Sequence, residues 1–361
     1  MLCMKIKLLG KNLEELKQVV SEEGLPGFTA RQIAQWLYVK KVRTIDEMTN
    51  LSKSARAALN EKYEVGLVDY KGLQMSSDGT KKYLFPVRCS HFRGLNRSCD
   101  GSLDERDLEA SAVEAVMIPD DDRATLCVSS QAGCRMGCRF CMTGRQGFHG
   151  HMSAADIISQ FIAVDESDRL TNAVFMGMGE PLDNYDNVMR VIEILTSDWG
   201  FGWSPKRITL STIGVIPALK RYLDECRCHI AVSLHNPFAE ERQAVMPVQK
   251  TWALADVVSL LKEYDFSGQR RVSFEYTMFA GFNDTKRHAD ALVRMLRPLE
   301  CRMNLIRFHK IPDFPYETSS DVVIENFKTR LNNSGLTTTI RASRGEDILA
   351  ACGMLAGEHN R

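Results

Sequence analysis

Two rhythms of apolar spacing divide the chain. Within residues 1–63 apolar positions recur every three or four residues: "NLEELKQVV" sets Leu13, Leu16, Val19 and Val20 on one face, which predicts a helix. "FTARQIAQWLY" does the same with Ile33, Trp36 and Leu37, after Thr29 and Gln32 at capping-box spacing, and "LSKSARAALNEKY" predicts a third helix. From about 64 to 118 the pattern shortens to "VGLVDYKGLQM" and "KKYLFPV", joined by the turn signal Asp78, Gly79, so a small β-rich connector is expected. Within it the polar, turn-rich stretch at about 88–111, "RCSHFRGLNRSCDGSLDERDLEAS", reads as an exposed loop or insertion.

From 119 to 361 the two periods alternate. "ATLCVSS", "NAVFMGM", "RITLST", "HIAVSL", "RVSFEYTMF", "RMNLIRF" and "TTTIRA" are strand candidates. Between them "SAADIISQFIAVDES", "NVMRVIEILTS", "VIPALKRYLDE", "ALADVVSLLKEY" and "TKRHADALVRML" have helical spacing, which together predicts an α/β region with a parallel sheet. Periodicity leaves a doubly wound sheet and a full or partial barrel both open. In either, chemistry belongs at the C-terminal ends of the strands.

Composition adds exclusions. A length of 361 residues suits a large domain with a smaller companion. No run of about eighteen apolar residues offers a membrane span, and "MLCMKIKLLGKNLEELK" lacks a signal peptide's apolar core, so a cytoplasmic protein without membrane association is expected. The formal charge is zero, which gives no bulk argument for a nucleic-acid partner, although residues 1–63 carry eleven Lys and Arg against seven Asp and Glu. Eleven cysteines, an odd number, argue for reduced thiols with metal or catalytic work over a disulfide framework.

Three of them, Cys134, Cys138 and Cys141, crowd into "CRMGCRFC" directly after the first strand candidate of the α/β region. A structural zinc site would need a fourth ligand, for which His149 or His151 would have to serve. An iron-sulfur cluster held by three thiolates leaves one iron open to an outside ligand. The spacing C-x3-C-x2-C, with Phe140 before the last cysteine, resembles the signature of the radical S-adenosylmethionine (SAM) superfamily. That resemblance implies a 4Fe-4S cluster on Cys134, Cys138 and Cys141 whose open iron is chelated by SAM. "VFMGMGEPL", with Gly177, Gly179, Glu180 and Pro181, resembles the element that holds the SAM amino group there.

The longer stretches "TLCVSSQAGCRMGCRFCMTGRQGF", "MGMGEPLDN", "RITLSTIGVIPAL", "VSLHNP" and "RGEDILAACGMLAG" resemble, in order, the RlmN and Cfr family of RNA adenosine methyltransferases. "MTGRQGF" and the helical N-terminal segment favour the RlmN branch over Cfr, which would methylate C8 instead of C2. The resemblance implies a partial (β/α)6-type radical SAM barrel at 119–361, a helical RNA-binding accessory domain at 1–63 and the connector at 64–118. It further implies methylation of C2 of an adenosine in the peptidyl-transferase region of 23S rRNA, with an adenosine beside the tRNA anticodon as a second candidate. An electron donor such as a flavodoxin or ferredoxin system and a monomeric state are expected. Two readings from other classes, a glycyl-radical activase and a zinc-stabilised non-catalytic RNA-binding protein, would not need all of these motifs.

Residue by residue, the resemblance makes Cys352 the thiol that takes a methyl group from one SAM. Cys127 is then the thiol that resolves the RNA adduct and leaves a disulfide, and Glu114 a proton acceptor. Gly179, Glu180, Ser211, Ser233, Leu234 and His235 are carried over as SAM contacts. His309 is carried over with them, although the family commonly has asparagine there. Cys226 and Cys228 read as packing. Lys40, Lys41, Arg43, Lys81, Lys82 and Arg145 are candidates for phosphate contact.

Overall fold

The computed structural model describes residues 5–87, 112–268 and 270–356, so the expected insertion at 88–111 lies outside the described residues. The N-terminal part holds helices Leu13–Glu22, Thr29–Ala34 and Lys53–Lys62, tied at their base by the parallel pair β1 (Ile6–Lys7) and β2 (Tyr63–Glu64). Asn12 caps the first helix reciprocally with Glu15. The expected capping box at Thr29 is absent: Phe28 is the N-cap and makes no side-chain cap bond, while Thr29 is buried inside the first turn. That helix continues as a π-turn over Gln35–Val39.

Two strands, β3 (Gly72–Met75) and β4 (Lys81–Pro86), form the hairpin expected around Asp78 and Gly79. Asp78 accepts the Thr80 amide hydrogen bond, and Gly79 takes the positive φ, +83°, that the turn requires. β5 (Ala112–Asp120) adds antiparallel to β4, and β6 (Arg123–Cys127) adds antiparallel to β5. The short hairpin of β7 (Gln131–Gly133) and β8 (Phe148–His151) stands apart from this sheet and brackets the cysteine cluster.

The remaining strands are β9 (Asn172–Phe175), β10 (Ile208–Thr212), β11 (His229–Ser233), β12 (Val272–Met278), β13 (Cys301–Arg307) and β14 (Thr338–Ile340), and each seven-strand expectation from the sequence falls on β6 or one of these. They pair in parallel and in strict chain order from β6 to β14. Order settles what periodicity left open. A doubly wound sheet reverses direction at a switch point; here it never reverses, and the two edges, β14 and β3, stay unjoined, giving a partial barrel.

Two crossover helices were not expected. Asp321–Asn333 buries Ile324, Phe327 and Leu331 at helical spacing behind the Ser320 cap, and Ala239–Val245 buries Arg242 and Val245. The N-terminal helices share one apolar core with the barrel. Polar bonds fasten the joint: Asn12 donates to Glu193 at 3.1 Å, Arg190 pairs with Glu15, and the Lys41 ammonium reaches Asp168 at 2.7 Å. No helix among the described residues is long and apolar enough to cross a membrane.

Candidate active site at the strand ends

The cluster loop, 134–141, is pinned by its backbone. Cys134 N–H donates to Gly147 O at 2.7 Å, Arg139 N–H to Val245 O at 2.9 Å, and Met142 N–H to Gly353 O at 2.8 Å. Gly144 has to be glycine, because a Cβ there would lie 2.8 Å from the Cys138 carbonyl oxygen. Cys134, Cys138 and Cys141 all line one cavity of about 960 Å³, counted out to its open mouth. It opens at the C-terminal ends of the parallel strands, where residues just after β9, β10 and β11 join its lining.

The donor set fits a cationic cluster. Burial raises all three thiols, Cys134 to about 12, and the Cys138 thiol is raised further by its two neighbours. Three thiolates would repel one another there unless a positive group bound them together. Among the described residues no three His, Cys, Asp or Glu side chains close around one point as a single ion would need. A cubane asks for one thiolate at each of three corners. Neither zinc histidine takes part: His149 is exposed, and the His151 ring nitrogens face the Gln131 amide at 3.1 Å and Arg135 at 3.5 Å.

Opposite the cysteines lies a polar wall. A Cβ on Gly177 would come within 2.6 Å of the Val128 carbonyl oxygen, and one on Gly179 within 2.5 Å of Gln131 Cβ, so both glycines let the turn after β9 press against the turn after β6. This places Glu180, 3% exposed, in the lining. Its carboxylate accepts the amides of Leu182 at 3.1 Å and Ile213 at 2.9 Å, while burial outweighs these bonds and pushes it up to about 7. An ammonium ligand would draw it back to its ionised form. Ser211 and Ser233 line the same cavity. His235 joins them with a positive φ, +56°. The Thr277 amide donates to His235 Nδ1 at 3.0 Å, which leaves the proton of the neutral ring on Nε2. Burial, then the charge of Arg242, lowers His235 to about 3, so it stays a neutral donor. Phe140 stands edge-on to this ring at 4.9 Å.

Cys127, at the end of β6, and Cys352, beyond β14, line an adjoining cavity of about 520 Å³ that shares Cys141, Met176 and Arg341 with the larger one. Burial, then the charge of Cys352, pushes the Cys127 thiol up to about 12, and Arg341 opposes the rise. Arg341 is held by Glu275 at 3.3 Å. The segment carrying Cys352 is strapped down on both sides. Thr143 Oγ1 donates to Leu355 O at 2.7 Å, Gln146 Nε2 to Ala356 O at 2.6 Å, and the Ala356 amide to Glu114 Oε2 at 2.8 Å. Glu114 is buried on β5, not a surface glutamate, and its other oxygen meets the Lys82 ammonium at 3.1 Å.

Three sequence-derived residues fall outside these linings. Leu234 is wholly buried in the core; its amide is donated to Glu275 O and its carbonyl accepts from Arg242, so neither group faces the cavity. His309 turns away from it, Nε2 lying 3.2 Å from Ser343 Oγ, while Ile306 and Phe308 of the same run face in. Glu114 anchors the Cys352 segment from beneath. Of the six phosphate candidates, Lys82 is corrected outright, being 6% exposed and paired with Glu114. Lys41, Arg43, Lys81 and Arg145 are engaged by acidic side chains, and Lys40 lies over the Trp36 ring. Glu275, Arg341 and Arg242 were missed. An acid inside the apolar run "RVSFEYTMF" was a legible signal for the first; the other two had none.

A family model of the radical SAM superfamily matches residues 128–293, and one described as the ribosomal RNA large subunit methyltransferase N-terminal domain matches residues 6–65. The probable dual-specificity RNA methyltransferase RlmN of Porphyromonas gingivalis is 53% identical over 352 residues, covering 98% of this chain and 94% of that protein. The chain belongs to the RlmN family. Its relative from Syntrophus aciditrophicus, named a dual-specificity RNA methyltransferase RlmN, is 38% identical over 98% of this chain and 97% of its own length. The crystal structure of a radical SAM methyltransferase from Sphaerobacter thermophilus superposes with a TM-score of 0.86 at 35% identity, covering 98% of this chain and all of that one. As a radical SAM enzyme of this family, the chain uses a 4Fe-4S cluster and SAM.

Proposed function

We propose that this enzyme methylates C2 of an adenosine in the peptidyl-transferase region of 23S rRNA and a second adenosine beside the tRNA anticodon. The relatives' names, which specify RNA and dual specificity, support the substrate class. The meeting of Cys127 and Cys352 beside the cluster loop carries the mechanism. When bound, the cluster supplies the single electron that cleaves SAM reductively to a carbon radical.

This chain's residues do the rest. Glu180 receives the SAM ammonium, and Ser211, Ser233 and the Nε2 proton of His235 face the remaining polar groups. Cys352, on a strapped segment with its own residue exposed, attacks the methyl group of one SAM as a thiolate. The SAM-derived carbon radical would take a hydrogen atom from the methyl group on Cys352, and the methylene so formed would bond to C2. Cys127 then attacks the Cys352 sulfur, and the carbon–sulfur bond breaks as the disulfide forms. The carbon stays on the base as the methyl group, and the surplus electron returns to the redox centre that supplied it. Glu114 accepts the proton lost from C2; reaching it requires the Ala356 strap to loosen. The target base leaves its stack to enter the cavity.

Residues 1–63 serve as an accessory RNA grip, 64–118 as a connector that extends the barrel sheet, and 119–361 as the catalytic barrel. A monomer in the cytoplasm, reduced by a flavodoxin or ferredoxin system, completes the reading. The test is to isolate the protein without oxygen, confirm a brown cluster, and map the methyl group on treated 23S rRNA and tRNA. Methyl at C2 supports the proposal; methyl at C8 assigns Cfr-type chemistry, and a colourless zinc protein ends it.

A further inference from the structure

Arg242 is completely buried, yet among the described residues no carboxylate balances it. Its guanidinium donates to Leu234 O and Ser233 O, both at 3.0 Å, to Gln249 Oε1 at 2.6 Å, and to Ile213 O at 3.5 Å. Every acceptor is neutral, and among the described residues it forms no ion pair. An unbalanced guanidinium in a protein core is costly. Its placement supplies the missing charge. The helix that carries it, Ala239–Val245, takes the Arg139 amide at its last carbonyl, one residue past Cys138. Two of its acceptors, Ser233 and Ile213, line the same cavity as Cys138, so the guanidinium lies directly behind that wall.

We propose that Arg242 is a positioning residue whose fixed positive charge balances the thiolate-held cluster at its Cys138 corner and makes that cluster easier to reduce. The inference rests on the cluster belonging to this site. One electron passes from an external low-potential flavin or iron-sulfur protein to the cluster, whose negative charge grows by one. A cation held in a dry environment stabilises the reduced form more than the oxidised one. The carbonyls of Leu234, Ser233 and Ile213 keep the guanidinium from swinging away.

The experiment is a redox titration of the anaerobic, cluster-loaded protein, followed by the spin signal of the reduced cluster, for the unchanged chain, Arg242→Lys, Arg242→Met and Gln249→Glu. Gln249→Glu keeps the hydrogen bond and places a carboxylate on the guanidinium, so it reads charge even if Arg242→Met does not fold. At a fixed solution potential Arg242→Met and Gln249→Glu should each lower the reduced-to-oxidised ratio by about tenfold, equal to about 59 mV for one electron. Arg242→Lys should stay close to the unchanged chain. Unaltered titrations for Gln249→Glu and for any loaded Arg242→Met overturn the inference while leaving the enzyme's identity intact. An unchanged chain that takes up no cluster overturns both.

Discussion

Two pairs of cysteines teach opposite lessons. Cys226 and Cys228 are neighbours in sequence, both buried where β11 begins, at the end of the barrel away from the cluster loop. The Cys228 amide donates to Cys226 Sγ at 3.4 Å, and the bond from the Cys228 thiol lowers the Cys226 thiol. Cys127 and Cys352 stand on the first and beyond the last parallel strand and meet only because the sheet curves; burial raises Cys127. A reactive-looking thiol at the opposite end of the strands stands away from the cluster loop. A suppressed one at the strand ends needs only a disulfide partner and a ligand.

Mutation should separate the pairs sharply. Cys352→Ala is expected to reduce RNA methylation to background and abolish S-methylcysteine, read by mass spectrometry of the peptide, with the cluster's visible absorption intact. Cys127→Ala should still form S-methylcysteine but stall after attack on the RNA, so that a protein–RNA adduct accumulates on a denaturing gel. Glu180→Gln should weaken SAM binding about tenfold, the usual scale of one lost charge-assisted bond, by calorimetry on the loaded enzyme. Cys226→Ser and Cys228→Ala should leave methylation unchanged and cost about 1–2 kcal/mol of stability in a denaturant melt. A loss of methylation there, in protein that remains folded, would erase the contrast.

The same contrast shows what could be read from the chain alone. All seven parallel strands were legible because strands buried on both faces are short β-rich runs between turn signals. The helix Asp321–Asn333 was equally regular but was passed over, its first turn presenting Val322, which is 70% exposed. Cluster and glycine motifs were legible because ligand spacing and close backbone approach act over a few residues. Leu234, His309 and Arg242 depend instead on how a strand end turns. After β11 the positive φ at His235 swings the ring into the cavity and leaves Leu234 in the core, a choice fixed by β12 through Glu275 and Thr277. Residues that act across strands are set by register, which a single sequence does not print.

The central claim is that Cys127 and Cys352 handle the methyl group together. The direct measurement is peptide mapping after turnover with SAM and RNA in the absence of any thiol reductant. The account predicts a Cys127–Cys352 disulfide in proportion to methylated RNA, with Cys226 and Cys228 still free. Methylated RNA accompanied by free thiols at both Cys127 and Cys352 would contradict it.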